Sequence, residues 1–442
     1  MTRPDRRMAL TLFILEFGYH TDAWRLPGSR AEEVGHLSLT RDMVQAAERA
    51  KIDAVFFADS LDVDSVRNGG NRATGLNEPV SSMGAMIPVT QEIGLMGTIS
   101  TTFTEPYNVA RQLAGLDTLS DGRIGWNIVT SIMGNHNFGM SKMPSPDVRY
   151  RRAAEFVEVV KKLWESWDGD AVIADREAGW WVDADKIRDI DHVGEFFNVQ
   201  GALNMASPPQ MHPALVQAGQ SETGVSFGSS VADVVYTAQP ELSRAIAFRE
   251  DFHRRAAKLG RDPRLIKILP GIMPIIGETE AEARDLAQQL ADLINPAQGR
   301  WQVERVLDVD TSDLDLDDMI PPERLVDHPD RHERWRSLHR PMAERMTIRE
   351  LMVELSRAAG HQWVVGTAPQ VADRMIDWFE SGACDGFNLN PPDVPVGMHR
   401  MLDLLVPELQ ERGYAQHEYR GDTLRERMGL EVLRTPKTTT VL

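Results

Sequence analysis

This 442-residue chain contains a single cysteine, Cys384, so neither a disulfide framework nor a cysteine metal site can form within it. That scarcity predicts a reducing, cytoplasmic setting. Positive charge is in the minority, with 48 Lys and Arg against 66 Asp and Glu, for a net charge of −18. A nucleic-acid backbone or an anionic membrane is therefore not the expected partner, since both need clustered cations. A small anionic ligand remains possible, because a few local donors override the global field. No apolar run approaches the roughly 20 residues that span a bilayer. The short stretch Met8 to Leu15 is followed at once by Glu16, so no signal peptide is expected. No G-x-G-x-x-G follows the first strand, which counts against a dinucleotide-binding unit, and no G-x-S-x-G supports an acyl-transfer nucleophile. His328, His332 and His339 lie in the last insertion without a carboxylate triad at ligand spacing; no metal site is expected, and His332 and His339 read as solvated lid residues.

What is present is a succession of short, nearly continuous apolar runs. Their composition predicts parallel strands buried on both faces, at Ala9-Leu15, Ala54-Ala58, Ile93-Thr98, Ile124-Val129, Ala214-Gln217, Val234-Thr237, Ile266-Ile276 and Gly386-Leu389. Helical patterns lie between them: Arg41-Lys51 with Thr40 as N-cap, Arg151-Trp167, Glu278-Leu293, Pro369-Glu380 and Met398-Arg412. Eight alternations fit either an open doubly wound sheet or a closed barrel, and the pattern alone does not choose. Four stretches read as insertions, at 61–78, 134–148, 168–209 and 295–360, and the last is expected to hold one or two helices and to cover the site. Residues 1–417 are read as one domain and 418–442 as a tail, either a frayed arm or a subunit contact.

The densest signal is Gly122 to Ser131, G-R-I-G-W-N-I-V-T-S. A turn releases a strand that carries one amide, Asn127, ends on Thr130 and Ser131, and opens into a glycine-rich loop, Gly134 to Gly139. Here the chain resembles the flavin-dependent monooxygenases of the nitrilotriacetate monooxygenase type, within the bacterial luciferase-like superfamily. The resemblance runs from Ala9 to Tyr414 and implies a (β/α)8 TIM barrel with its site at the C-terminal strand ends. It further implies a two-component enzyme. A separate NAD(P)H:FMN reductase would supply reduced FMN, and a flavin hydroperoxide would deliver one atom of O2 to a small organic substrate. A homodimer or homotetramer is implied as well. The alternatives are a deazaflavin-dependent hydride-transfer enzyme of the same superfamily and a non-catalytic flavin-binding barrel.

Against that family the residues acquire roles. A primary amide has donors and acceptors to match the carbonyl and NH edge of an isoalloxazine, which makes Asn127 the leading flavin contact. Asp59, in Phe56-Phe57-Ala58-Asp59-Ser60, is either a loop-closing carboxylate or a neighbour of the ring. Thr102, in the run Ser100-Thr101-Thr102, either lines the ring or satisfies strand-end backbone. Tyr150, in Val148-Arg149-Tyr150, matches a family tyrosine that reaches the FMN phosphate. Gln220 and Ser221 follow a glycine turn at a helix start, where free N–H groups suit a phosphate. His20 and His136 are the candidate acid or base, with surface histidines as the plain alternative. Some relatives have a histidine after the W-N-x-V-T-S motif where this chain has Ile132. Arg67 and Arg72 could hold a carboxylate-bearing substrate, whereas Trp180, Trp181, Trp301, Trp335, Trp363 and the methionines could line an apolar pocket. The sequence inclines slightly to an apolar or sulfur-containing substrate.

Overall fold

A computed structural model describes residues 7–62, 77–328, 335–357 and 360–433. Arg67, Arg72 and His332 lie outside these residues. Eight parallel strands form a closed ring: β1 (Ala9–Ile14), β2 (Ala54–Phe57), β3 (Gly94–Ser100), β4 (Ile124–Val129), β5 (Ala214–Gln217), β6 (Val234–Thr237), β7 (Lys267–Ile276) and β8 (Gly386–Leu389). Each pairs with the next, and β1 closes on β8 with Ala9 opposite Gly386. The expected (β/α)8 barrel is the fold, and all eight anticipated runs are its strands.

The strands look uniformly apolar because both of their faces are covered. Leu95, Trp126, Ile128 and Leu215 point outward into the main core beneath the helices. Ala54, Phe56, Met96, Val216, Tyr236 and Leu269 fill the interior. There the Tyr236 hydroxyl donates to Met96 Sδ at 3.4 Å, and the Phe56 and Tyr236 rings lie 4.8 Å apart. The barrel is therefore packed through its middle, which leaves its two ends to differ.

The helices begin where local caps allow. Ser145 accepts from the N–H of Val148 and Pro146 opens the helix Pro146–Trp164, five residues before the expected start. Thr40 is not an N-cap: it lies inside Leu37–Arg49, where its hydroxyl donates to the buried carboxylate of Glu16. A ninth strand, Gln362–Gly366, went unanticipated; it pairs with the outer half of β7, Ile272 to Ile276, beyond the ring.

The insertions differ in character. Residues 168–209 form two small antiparallel hairpins, Val172–Asp175 with Trp180–Val182 and His192–Val193 with Asn198–Val199. Trp180 and Trp181 are exposed there. Residues 295–360 carry the helices Pro296–Leu307 and Ile348–Arg357 around a separate core that includes Val303, Leu307, Trp335 and Leu351. Trp335 thus serves that core, and the acidic patch is held by Asp313–Arg324 and Asp317–Arg349 ion pairs.

Over its described residues the segment from Glu418 is not a frayed arm. The short helix Leu424–Met428 inserts Leu424 and Met428, followed by Leu430, into the N-terminal end of the barrel interior. Arg425 pairs with Asp233 at 2.6 Å, both side chains buried. Apolar residues at 424, 428 and 430 close that end. Among the described residues no helix is long and apolar enough to cross a membrane.

Candidate functional site at the C-terminal barrel mouth

At the opposite end, β2 to β5 surround a cavity of about 370 Å³, lined by Asp59, Ser60, Thr98, Ser100, Ser131, Tyr150, Gln217 and Gly219, among others. Strand alternation places these groups. In the β3–β4 register Thr98 stands opposite Asn127, and both point into the barrel. The Asn127 amide nitrogen donates to Thr98 Oγ1 at 2.9 Å. Its Oδ1 is buried and has no hydrogen-bond partner, an arrangement that costs about 1–3 kcal/mol unless a ligand repays it. Asn127 itself is not among the lining residues, but its partner Thr98 is.

Ser131 sits in the left-handed region, φ 43°, and its hydroxyl lies 2.8 Å from that of Ser100. The guanidinium of Arg149 holds the turn in place, donating to the carbonyls of Pro144, Thr130 and Ser131. The next residue, Tyr150, reaches across to β5. A Cβ built on Gly219 would come within 3.1 Å of the Tyr150 hydroxyl, and one built on Gly224 within 2.8 Å. Ser221 caps the helix Glu222–Val231 by accepting from the N–H of Gly224 at 3.1 Å. First-turn N–H groups have no intrahelical acceptor, so this end of the cavity offers donors to an anion. One G-x-S-x-G does occur, which the sequence reading passed over: Gly224-Val225-Ser226-Phe227-Gly228 lies inside this helix with Ser226 exposed, so it still supports no acyl-transfer nucleophile.

The other anticipated residues divide. Asp59 lines the cavity, and burial pushes its carboxyl above the ordinary range despite a hydrogen bond from the N–H of Ser60. Thr102 does not line it: its hydroxyl donates to the carbonyl of Thr130 at 2.6 Å, the backbone-satisfying alternative. Gln220 turns toward β6, where its Oε1 accepts from Thr237 Oγ1 at 3.1 Å. His136 is half in solvent beside Asp62, 3.8 Å away. His20 is buried, its Nδ1 accepting from the N–H of Asp22, its Nε2 unpartnered. Burial, then the charge of Arg357, pushes its pKa down to about 4, so it is neutral near pH 7. Of the run Ser100-Thr101-Thr102 it is Ser100 that lines the cavity, and Thr98 and Gln217 are wall residues that the sequence reading does not single out. Two-residue periodicity from Asn127 and from strand ends would have found them.

Comparison with known proteins decides what kind of site this is. Residues 15–385 match the luciferase-like monooxygenase family. The chain belongs to that family. It is 42% identical to the N-acetyl-S-(2-succino)cysteine monooxygenase of Bacillus subtilis (strain 168), over 98% of each chain. It is 36% identical to nitrilotriacetate monooxygenase component A of Aminobacter aminovorans, over 96% of this chain and 97% of that one. A riboflavin lyase solved with modified FMN and riboflavin superimposes with a TM-score of 0.84 at 30% identity, covering 97% of both chains. As a luciferase-like monooxygenase the protein is a flavin-dependent oxygenating enzyme. Deazaflavin hydride transfer and a non-catalytic barrel are set aside in its favour.

Proposed function

We propose that this protein is the oxygenating component of a two-component system, binding reduced FMN made by a separate NAD(P)H-dependent reductase. The buried, unpartnered Oδ1 of Asn127 carries this reading, because the ring edge of a flavin presents the N–H that it lacks. The residues present fit the whole cofactor. Asn127 and Thr98 would meet the ring edge, while Tyr150, Ser221 and the N–H groups opening the helix Glu222–Val231 would hold the phosphate. Bound reduced flavin supplies the activation of O2; the chain supplies orientation and exclusion of water. Arg149 fixes the loop wall at Thr130 and Ser131.

For the substrate, the relatives named for N-acetyl-S-(2-succino)cysteine and nitrilotriacetate support a small carboxylate-bearing compound, in the first case one with sulfur. Assembly as a homodimer or homotetramer belongs to the same reading, with the exposed Trp180 and Trp181 as surface for a second copy. The buried Cys384 agrees with action in the cytoplasm. The test is a reconstitution with an NADH:FMN reductase, ¹⁸O2 and N-acetyl-S-(2-succino)cysteine. One ¹⁸O atom should enter product only when reduced FMN is supplied. Incorporation driven by NADH without any reductase would contradict the two-component reading.

A further inference from the structure

Among the residues lining the cavity, Asp59 is the single carboxylic acid, and Tyr150 is the other titratable group. Asp59 lies just past β2, half-buried. Among the described residues no Lys, Arg or His lies within ion-pair distance of it, and the N–H of Ser60 is the hydrogen-bond donor that lowers its pKa. Its electrostatic neighbour, Glu78 at the start of the helix Pro79–Met86, carries the same sign and disfavours ionisation further. The nearby loop offers little relief, since His136 is paired with Asp62. Arg149 lies behind the wall, engaged with three backbone carbonyls.

Such a carboxylate is tolerable while water reaches it. A reduced FMN brings negative charge on its phosphate and, around neutral pH, on its ring, and it displaces that water. Like charges brought together in a desolvated site do not all remain ionised; one group takes a proton. We propose that Asp59 takes up a proton from solvent when reduced FMN enters the cavity and remains a neutral acid, able to donate a hydrogen bond, while the cofactor is bound. The step is a protonation of one Asp59 oxygen with no change in electrons. It makes the mouth select reduced FMN together with one proton, and it leaves a proton stored beside the reacting centre. The inference rests on the reduced-FMN reading of the site.

The experiment is anaerobic calorimetric titration of the whole chain with reduced FMN, in two buffers of different ionisation enthalpy, from pH 6.5 to 8.5. The wild-type protein should take up about one proton more than Asp59→Asn, and its affinity should fall about tenfold more per pH unit above neutrality. Asp59→Asn, nearly isosteric, should bind reduced FMN at least as tightly at pH 8.5. Equal proton uptake and parallel pH profiles would overturn the role of Asp59 and leave the cofactor reading standing. Failure of both proteins to bind reduced FMN would overturn both.

Discussion

The two ends of the barrel use polar side chains in opposite ways. At the N-terminal end, an aspartate stands just before three strands: Asp53 before β2, Asp233 before β6 and Asp385 before β8. Each accepts the N–H of the preceding strand in the ring, from Leu10, Leu215 and Ile268 respectively. Each also meets a guanidinium, from Arg7, Arg425 and Arg249. At the C-terminal end the buried groups are incomplete: Asn127 lacks a donor at Oδ1 and His20 a partner at Nε2, while Asp59 has no cation among its described neighbours. The strand-start carboxylates of the closed end are thus each matched to a cation, whereas the carboxylate of the mouth has none among its described neighbours; the closed end keeps open atoms of its own at Gln416 Oε1, beside Asp53, and His253 Nε2. The packed layer of Phe56, Met96 and Tyr236 separates the two ends.

Four outcomes would break or sharpen this contrast. The largest belongs to the closed end. Arg425→Met leaves Asp233 buried without its shortest ion-pair contact and should cost about 3–5 kcal/mol in urea unfolding. The folded fraction should bind reduced FMN within about twofold of wild type; a large loss of affinity at unchanged stability would show that the ends are not independent. Next is acidification at the mouth. His20 has a pKa near 4 when folded against an ordinary 6.5, so the unfolded chain binds the proton first as pH falls. Stability from this group is full above pH 6.5 and is lost toward pH 4, on the order of 3 kcal/mol. A His20→Asn variant should show a shallower acid limb in pH-dependent unfolding, and an identical limb would refute the assignment.

Asn127→Leu should weaken reduced FMN by about 1–3 kcal/mol, roughly five- to 150-fold, while thermal stability holds or rises because a buried orphan is removed. Falling stability with intact affinity would make Asn127 structural instead. The smallest effect distinguishes two hydroxyls. Tyr150→Phe should lower affinity for reduced FMN several-fold, about 1 kcal/mol, and leave reduced riboflavin unchanged. In the same assay Thr102→Val should change neither ligand beyond about twofold, since Thr102 already serves Thr130.

Much of this was legible in sequence because strands buried on both faces announce themselves as apolar runs, and all eight did. The motif around Asn127 and Tyr150 lies on regular elements with firm register, so its placement in the fold was legible: Tyr150 lines the cavity, and Asn127 is hydrogen-bonded to the lining residue Thr98. What escaped depends on contacts distant in sequence. Thr40 looks like a cap until Glu16, 24 residues earlier, takes its hydroxyl. Thr102 looks like a ligand group until the Thr130 carbonyl, 28 residues on, is seen to accept from it. The segment at 424–430 reads as a tail because its three apolar residues acquire meaning only against the barrel end that they close. The ninth strand, longer than several of the eight, sits outside the ring with its middle residues only half-buried, so an eightfold barrel gave it no place.

The most direct test of the account is a crystal structure of the protein with reduced FMN, grown and frozen without oxygen. The account predicts the ring beside β3 and β4 with a ring N–H about 3 Å from Asn127 Oδ1, and the phosphate between Tyr150, Ser221 and the start of the helix Glu222–Val231. A ring lodged against β6 to β8, with Asn127 Oδ1 still lacking a donor, would contradict it.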